Sequence, residues 1–176
     1  MSGVYHTSDW HLGHRNISRF RAQDNIENEK ESSWMIINNY KAIIHKRDTV
    51  WFHGDIIFDP YYLEIVKDLP GNKKILLGNH DLEPKRKITI SDLVEVFDSV
   101  EALVKHKGTW LSHAPIHPDE LRGAINIHGH THYHVIDDER YVNVCVEQTN
   151  YFPIRREKLL ENNEVFIKNV INKGKK

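Results

Sequence analysis

The sequence lacks the cysteines and the long apolar runs that would indicate a secreted or membrane protein. Cys145 is its single cysteine, so no disulfide can form within the chain. This composition fits a reducing compartment. The N-terminal segment has no apolar run of the signal-peptide type, and no stretch approaches the roughly 18 apolar residues of a membrane span. These absences predict a cytoplasmic protein without a membrane segment.

The sequence also lacks an excess of either charge. Its formal net charge is -1 over 176 residues, which gives no overall basic field for nucleic acid. A nucleic-acid partner therefore stays open but is not favoured. The chain shows no internal repeat, low-complexity segment or linker, and its length suits one core. We therefore predict a single domain over residues 1–176.

Strand-like and helix-like segments alternate in the first half, and strand-like segments dominate the second half. Asp24, with Glu27 three residues on, predicts the N-terminus of a helix that runs to about Lys46 with an apolar stripe of Ile37, Tyr40 and Ile44. Pro60 predicts the start of a short helix that Pro70-Gly71 ends. This order indicates an α/β sandwich with mixed sheets.

Histidine is over-represented, with 13 copies, and many of them stand in short polar motifs. Each motif begins where an apolar strand ends. Sites in α/β folds gather at the carboxyl ends of strands, so we expect the motifs to converge. They read "SDWHLGH", "HGDIIFD", "GNHD", "SHAP" and "HGHTH".

Taken singly, each motif has an ordinary alternative, such as a turn aspartate or a surface histidine. Taken together they supply two carboxylates, an amide and at least four imidazoles, which is too many for one four-coordinate ion. Two cations about 3.5–4 Å apart suit this set. Two divalent cations, two carboxylates and a bridging hydroxide leave a charge of about +1, which favours an anionic phosphoryl ligand.

The motif order D-x-H, GD, GNHD, H, GHxH resembles the calcineurin-like metallophosphoesterases. The match spans residues 9 to 132, and the extended form "SDWHLGHRNI" resembles short, capless members of bacteria and phages. The resemblance implies a four-layer α/β/β/α sandwich with two divalent metal ions. Mn²⁺ is a common activator in that family, and the sequence alone does not choose among Mn, Fe, Ni and Zn.

The resemblance also assigns roles to residues. One metal would be held by Asp9, His11, Asp55 and His132. The other would be held by Asp55, Asn79, His113 and His130, so that Asp55 is the bridge. A metal-bridging hydroxide would attack phosphorus in line. His80 would protonate the leaving oxygen or stabilise the transition state as a positive group.

Substrate contacts are less well defined by the sequence. His14, Arg15 and Asn16 are candidates for the phosphate site, although "GHRN" also suits an ordinary turn. Arg86 and Arg122 are further candidate phosphate clamps, against the ordinary expectation of surface arginines.

Several neighbouring residues have both a structural and a functional interpretation. Asp59 suits the start of a helix or the orientation of the catalytic histidine, and we favour the helix start. For His53 we expect a packed, hydrogen-bonded histidine. Trp10, Phe58 and Tyr61 suit packing in the core or at the rim better than stacking on a base.

The stretch "NIHGHTHYHV" places four histidines at alternate positions. We expect Gly129 to bend the strand and break the alternation, so that only His130 and His132 bind metal. His128 is expected to contact a metal ligand or to pack beside the site, and His134 to lie at the rim of the pocket or at the surface.

The sequence therefore predicts a metal-dependent phosphohydrolase for a phosphodiester or phosphomonoester, with a small, nucleotide-like substrate. The alternatives are a non-catalytic scaffold of the same fold, a nuclease, and a different hydrolase with an HxH metal site. The last of these leaves "GNHD" unexplained. Because a short chain leaves little room for a cap domain, a homo-oligomer that walls in the site stays open.

Overall fold

The computed structural model describes residues 2–83 and 87–161, and the candidate clamp Arg86 lies outside the described residues. The described helices are α1 (Ile17–Phe20), α2 (Glu29–Ile43), α3 (Tyr61–Lys67), α4 (Ile90–Val96) and α5 (Arg156–Glu161). The described strands are β1 (Val4–Thr7), β2 (Thr49–Phe52), β3 (Asn72–Leu76), β4 (Ser99–Glu101), β5 (Leu103–His106), β6 (Thr109–Ser112), β7 (Ile125–His128), β8 (Tyr141–Asn143) and β9 (Ile154–Arg155). None of the helices in these ranges is long and apolar enough to cross a membrane.

The strands form two mixed sheets, as the sequence predicts. The first sheet has the order β4-β3-β2-β1-β9, in which only β9 runs antiparallel to its neighbour. The second has the order β5-β6-β7-β8, with β5 antiparallel to β6 and the remaining pairs parallel. The α/β class with mixed sheets is therefore confirmed.

Both faces of the first sheet are covered by apolar side chains. Alternate residues of a strand point to opposite faces. Val50 and Phe52 accordingly join the cluster that contains the buried stripe of α2. Trp51 points the other way and packs in a second cluster with Leu111 and Ile127 of the second sheet. The core therefore has two parts, one between helices and sheet and one between the two sheets.

The long helix begins later than the sequence predicts. Asn25 has left-handed backbone angles with φ of 60°, which breaks the chain between Asp24 and the helix. Asn28 is the N-cap, and its side-chain oxygen accepts a hydrogen bond from Glu31 N–H at 3.0 Å. Asp24 instead accepts a hydrogen bond from Tyr133 Oη at 2.5 Å. The prediction of Asp24 as the start of the helix was wrong because Asp24 and Asn28 each precede a glutamate by three positions.

The carboxyl ends of the central strands bring the polar motifs together. β1, β2 and β3 run parallel and end at Thr7, Phe52 and Leu76. Beyond the strand ends the loops stay hydrogen-bonded, with Asp9 N–H donating to the Gly54 carbonyl at 3.1 Å. In the second sheet, Gly129 N–H likewise donates to the His113 carbonyl at 2.8 Å. These loops form the candidate site.

Candidate metal centre

Five of the predicted metal ligands fall into two compact groups of donor atoms. Within each group the donor atoms lie within 4.8 Å of one another. The first group contains Asp9, His11 and His132, and the second contains Asp9, Asp55 and His113. The structure therefore brings together side chains from both sheets that are more than 100 positions apart in sequence.

The two oxygens of Asp9 have different surroundings. Oδ2 accepts hydrogen bonds from Ser8 Oγ at 2.6 Å, His130 N–H at 2.8 Å and Cys145 Sγ at 3.2 Å. Oδ1 is buried and has no hydrogen-bond partner among the described residues. A buried carboxylate oxygen without a partner is costly, so Oδ1 is suited to a cation.

The first group has the spacing that a cation requires. His11 Nε2 and His132 Nε2 lie 3.6 Å and 3.7 Å from Asp9 Oδ1. Two ligand atoms on a tetrahedral ion, each at about 2.1 Å, are about 3.4 Å apart. His11 Nε2 is also buried without a hydrogen-bond partner in the described part of the chain. The donor set therefore fits a divalent metal ion.

The second group is completed by an amide oxygen. His113 Nε2 lies 3.3 Å from Asp55 Oδ2 and 2.9 Å from Asn79 Oδ1. Its other ring nitrogen, Nδ1, donates a hydrogen bond to the His53 carbonyl at 2.6 Å. When His113 loses the Nε2 proton, this bond keeps hydrogen on Nδ1 and leaves the Nε2 lone pair facing the two oxygens.

The position of His130 and the carboxylate shared by the two groups differ in detail from what the resemblance implies. The His130 ring lies 5.0 Å from the His113 ring but belongs to neither donor group, and its side chain is exposed. The carboxylate common to both groups is Asp9, whereas the resemblance makes Asp55 the bridge. The ligand role of His130 and the bridging role of Asp55 stay predictions.

Most of these residues have left-handed backbone angles, which non-glycine residues rarely adopt. The φ angles are 57° for Asp9, 53° for His11, 56° for Asp55, 69° for His130 and 47° for His132. Each such residue costs on the order of 1–3 kcal/mol, and such strain concentrates at functional sites. The sequence gives no signal of it, because these residues are neither glycine nor asparagine.

Gly129 is required for a different reason from the one that the sequence suggests. Its φ is not positive, so it is not needed for a left-handed bend. A Cβ at this position would instead lie well inside van der Waals distance of Ser8 Oγ and Asp9 Oδ2. Gly129 therefore allows the "HGHTH" loop to approach the Asp9 carboxylate, while β7 ends at His128 as the broken alternation requires.

We expect Gly129→Ala to remove metal binding and to lower the free energy of unfolding by about 1–3 kcal/mol, because the added methyl displaces the Asp9 carboxylate. Gly108→Ala is a matched control, since Gly108 has φ of 80° and open space around its Cβ position. The control should lose stability but keep metal. Metal analysis and thermal unfolding of both variants check this. Wild-type metal content in Gly129→Ala would contradict the placement of Asp9.

The surroundings of Asp9 and Asp55 favour their ionised forms, whereas the pKa values of the histidines shift in different directions. Burial opposes ionisation of Asp9 and Asp55, but His11 and His113 hold the pKa of the respective carboxyls below the usual value. Burial also disfavours a charged His113, yet its contact with Asp55 and the charges of both aspartates raise its pKa to about 9. Burial lowers the pKa of His11. A cation bound at His113 must therefore displace a proton.

Comparison with known proteins finds relatives of this chain in phages. No family model matches it. The gene 66 protein of Mycobacterium phage L5 is 31% identical over 165 residues, which cover 75% of this chain and 78% of the phage protein. The chain belongs to the family of that gene 66 protein. The gene 66 protein of Mycobacterium phage D29 is 26% identical over 166 residues, covering 77% of this chain and 81% of its own length.

Relatives of this gene 66 family chain also occur outside phages. An uncharacterized protein of Methanocaldococcus jannaschii is 26% identical over 186 residues, covering 94% of this chain and 95% of the archaeal protein. A crystal structure of a protein of unknown function from Aquifex aeolicus has a TM-score of 0.70 and 25% identity, covering 90% of this chain and 98% of that one. The fold is therefore shared with the Aquifex aeolicus protein.

In this gene 66 family chain, His80 lies at the edge of the donor groups. Its backbone N–H donates a hydrogen bond to Asp55 Oδ1 at 3.0 Å. Its ring lies 5.8 Å from the His11 ring, and its Nδ1 donates to Glu83 Oε1 at 2.6 Å. His80 is partly exposed, so it stands beside the centre within reach of a bound molecule.

The three predicted substrate residues line one recess beside the centre. His14, Arg15 and Asn16 border a recess of about 430 Å³ together with Phe58. Phe58 stacks on the His11 ring with a centroid distance of 4.7 Å, so the recess adjoins the first donor group. Asn16 is also the N-cap residue of α1.

The other candidate residues lie away from the donor groups or are buried in the core. Asp59 Oδ1 accepts a hydrogen bond from Tyr61 N–H at 3.0 Å, which confirms the helix-start interpretation. Arg122 is exposed, and its Nη2 lies 3.7 Å from Glu120 Oε2, so no contact in the described part of the chain links it to the centre. Trp10 is fully buried in the helix-side core, and Tyr61 is exposed.

Three further histidines, His53, His128 and His134, lie as the sequence predicts. His53 is buried, donates from Nδ1 to the Ser112 carbonyl at 2.9 Å and lies 2.9 Å from His6 Nδ1 through Nε2. Burial lowers the pKa of His53 to about 3, so it is neutral. His128 is buried, with its Nδ1 2.8 Å from the Gly129 carbonyl, and His134 is exposed. These positions confirm the predictions for all three.

Two buried charged residues beside the centre were missed by sequence reasoning. Glu147 Oε1 lies 3.2 Å from His132 Nδ1 and accepts a hydrogen bond from Arg21 Nε at 2.8 Å. Burial alone would lower the pKa of His132, but Glu147 raises it. Glu147 follows the strand-like "YVNVCV", so the strand-end rule could have found it. No sequence signal points to Arg21.

Proposed function

We propose that this chain is a dinuclear metal-dependent phosphohydrolase of the calcineurin-like metallophosphoesterase type. The observation that supports it best is the pair of donor groups around Asp9, in the first of which Asp9 Oδ1 and His11 Nε2 are buried without a hydrogen-bond partner among the described residues. Such atoms are costly in an ordinary core and are explained by bound cations. We further propose the four-layer sandwich, since the two apolar clusters fill two of its three interlayer spaces.

The residues present fit two divalent cations of the Mn²⁺ class, with Fe, Ni and Zn as alternatives. Carboxylate, amide and imidazole donors match such ions. Asp9, His11 and His132 would hold one ion, and Asp55, Asn79, His113 and His130 the other, with Asp55 shared. When bound, two such ions lower the pKa of water and neutralise charge that develops on phosphoryl oxygens.

His80 would act on the leaving oxygen. It is partly exposed, and its backbone is held by Asp55 while its ring is oriented by Glu83. A histidine in this place can donate a proton to the alkoxide that departs or stabilise its charge. The general-acid role is therefore assigned to His80 rather than to the buried His128.

The substrate would be a small phosphorylated molecule of nucleotide type. The recess lined by His14, Arg15 and Asn16 adjoins the first donor group. A second recess of about 400 Å³, which Arg15 also borders, contains the exposed rings of Trp34 and Tyr61. Both volumes lie in the range of small-molecule sites. A phosphate held by the Arg15 side of the recess thus has room for an attached organic group.

Hydrolysis by the metal-reconstituted protein tests the proposal. Protein stripped of metal with a chelator should be inactive. It should regain hydrolysis of a chromogenic phosphodiester when Mn²⁺ is added, because the ions then bind to the donor groups again. The same assay with nucleotide mono-, di- and cyclic phosphates, and with Fe, Ni and Zn, defines substrate and metal. Binding of metal without turnover of any ester would favour a non-catalytic scaffold, and turnover of polynucleotides alone would favour a nuclease.

A further inference from the structure

Arg21 and Glu147 form an ion pair that is completely removed from solvent. Both side chains have 0% exposure, and Arg21 Nε donates to Glu147 Oε1 at 2.8 Å. The residues are 126 positions apart, so the contact joins the segment after the first motif to the segment after β8. Neither residue belongs to the donor groups of the metal centre.

Glu147 contacts the outer nitrogen of a proposed ligand. His132 Nδ1 is 3.2 Å from Glu147 Oε1, while His132 Nε2 faces Asp9 Oδ1 at 3.7 Å. A neutral imidazole has one N–H and one lone pair. His132 Nδ1 has no hydrogen bond of normal geometry among the described residues, so Glu147 acts on it through charge at 3.2 Å. An ionised carboxylate carries no hydrogen to donate and attracts the imidazole N–H, so it favours the tautomer with hydrogen on Nδ1 and the lone pair on Nε2, the nitrogen that faces Asp9.

Arg21 directs its other nitrogens at the loop that contains Asp9. Nη2 donates to the Asp9 carbonyl at 2.7 Å, and Nη1 donates to the Trp10 carbonyl at 3.2 Å and to Ser32 Oγ at 2.6 Å. Asp9 has a φ of 57°, a conformation that needs support from its surroundings. The guanidinium stabilises the loop through these hydrogen bonds and connects it to Ser32 of α2.

The pair is not explained by stability alone. Apolar residues of similar volume often replace a buried ion pair without loss of stability, because removing charges from water is costly. Here each charged group contacts either a proposed ligand or the backbone beside one. Glu147 Oε2, moreover, is buried without a hydrogen-bond partner among the described residues, which adds to the cost of burying the pair.

We propose that Arg21 and Glu147 are positioning residues for the metal ion held by Asp9, His11 and His132. Glu147 sets the tautomer and ring orientation of His132, and Arg21 holds both Glu147 and the left-handed turn at Asp9. The inference rests on the proposed metal centre for its function, but the orientation of His132 can be measured without any metal.

The double variant Arg21→Met, Glu147→Met tests the proposal because it replaces the pair by apolar side chains of similar length. We expect the double variant to fold. Its affinity for one of two Zn²⁺ or Mn²⁺ ions should fall about 10–100-fold, which is the usual loss of metal affinity when a residue that orients a ligand is removed. Its affinity for the other ion should not change. Calorimetric titration resolves the two steps. Val66→Ala, a buried change in α3, is the control for a general loss of stability and should leave both steps unchanged.

A second readout does not depend on metal binding. Nitrogen-15 spectra of the metal-free protein at alkaline pH should show His132 with hydrogen on Nδ1 in the wild type and a mixture of tautomers in the double variant. Glu147→Gln, a smaller change, serves if the double variant does not fold, and should weaken the same ion.

Wild-type affinity for both ions in a folded variant, or an unchanged tautomer of His132, would overturn the inference. A wild type that binds no metal would instead defeat the proposed function. The tautomer measurement would then still decide whether Glu147 orients His132.

Discussion

Replacing Asp55 by asparagine is expected to leave the fold intact, to weaken the binding of both metal ions and to lower the rate of hydrolysis by more than about 10²-fold. Asp55 Oδ1 accepts the His80 backbone N–H at 3.0 Å, and the asparagine carbonyl oxygen can take over this bond. The amide nitrogen then replaces Oδ2, which lies 3.3 Å from His113 Nε2, and cannot bind a cation. Loss of an outer-shell partner alone costs 10–100-fold, so loss of a shared ligand should cost more.

Asp9→Asn is the matched variant, because its amide oxygen can accept the three hydrogen bonds that Oδ2 of Asp9 accepts. If Asp55 is the bridge, Asp9→Asn should lose one ion and keep the other. Metal analysis of the two variants, with thermal unfolding as the fold control, separates the cases. Loss of both ions in Asp9→Asn and of one in Asp55→Asn would move the bridge to Asp9, the carboxylate common to both donor groups.

His80→Ala is expected to keep both ions and to slow turnover by roughly 10²–10⁴, the usual worth of general acid–base catalysis. The loss should be greatest for esters with a poor leaving group, since a nitrophenolate departs without needing a proton. His134→Ala, which removes an exposed histidine from the "HGHTH" side of the molecule, is the control and should have wild-type rates. Steady-state rates for an alkyl and a nitrophenyl ester check both.

Two outcomes would change the role of His80. An equal loss for good and poor leaving groups indicates stabilisation of the transition-state charge rather than proton donation. Unchanged rates on the alkyl ester would remove His80 from the mechanism. Loss of metal in His80→Ala would indicate that its main role is structural, through the backbone bond to Asp55.

The convergence of the site could be predicted because it depends on a local rule. Polar motifs follow β1, β2, β3, β6 and β7, and parallel strands bring their carboxyl ends to one edge. The residues of the two donor groups are therefore among those that the sequence singles out. The helix start at Asn28 was missed because local capping signals occur twice, and the turn at Asn25 decides between them.

The features that the sequence did not reveal depend on long-range packing. Arg21 and Glu147 look like ordinary charged residues until the fold buries both of them. The left-handed angles of Asp9, His11 and Asp55 are likewise imposed by the surrounding loops, since none of these residue types demands them. Gly129 was recognised as special, but only the structure shows that the nearby Asp9 carboxylate is the reason.

The most direct test of the dinuclear centre is the hydrolysis rate of a chromogenic phosphodiester, measured as a function of the Mn²⁺ bound per chain. We expect the metal-free protein to be inactive and the rate to rise to a plateau at two ions per chain, one for each donor group. Full binding of metal without hydrolysis, or hydrolysis that persists in the metal-free protein, would contradict this expectation.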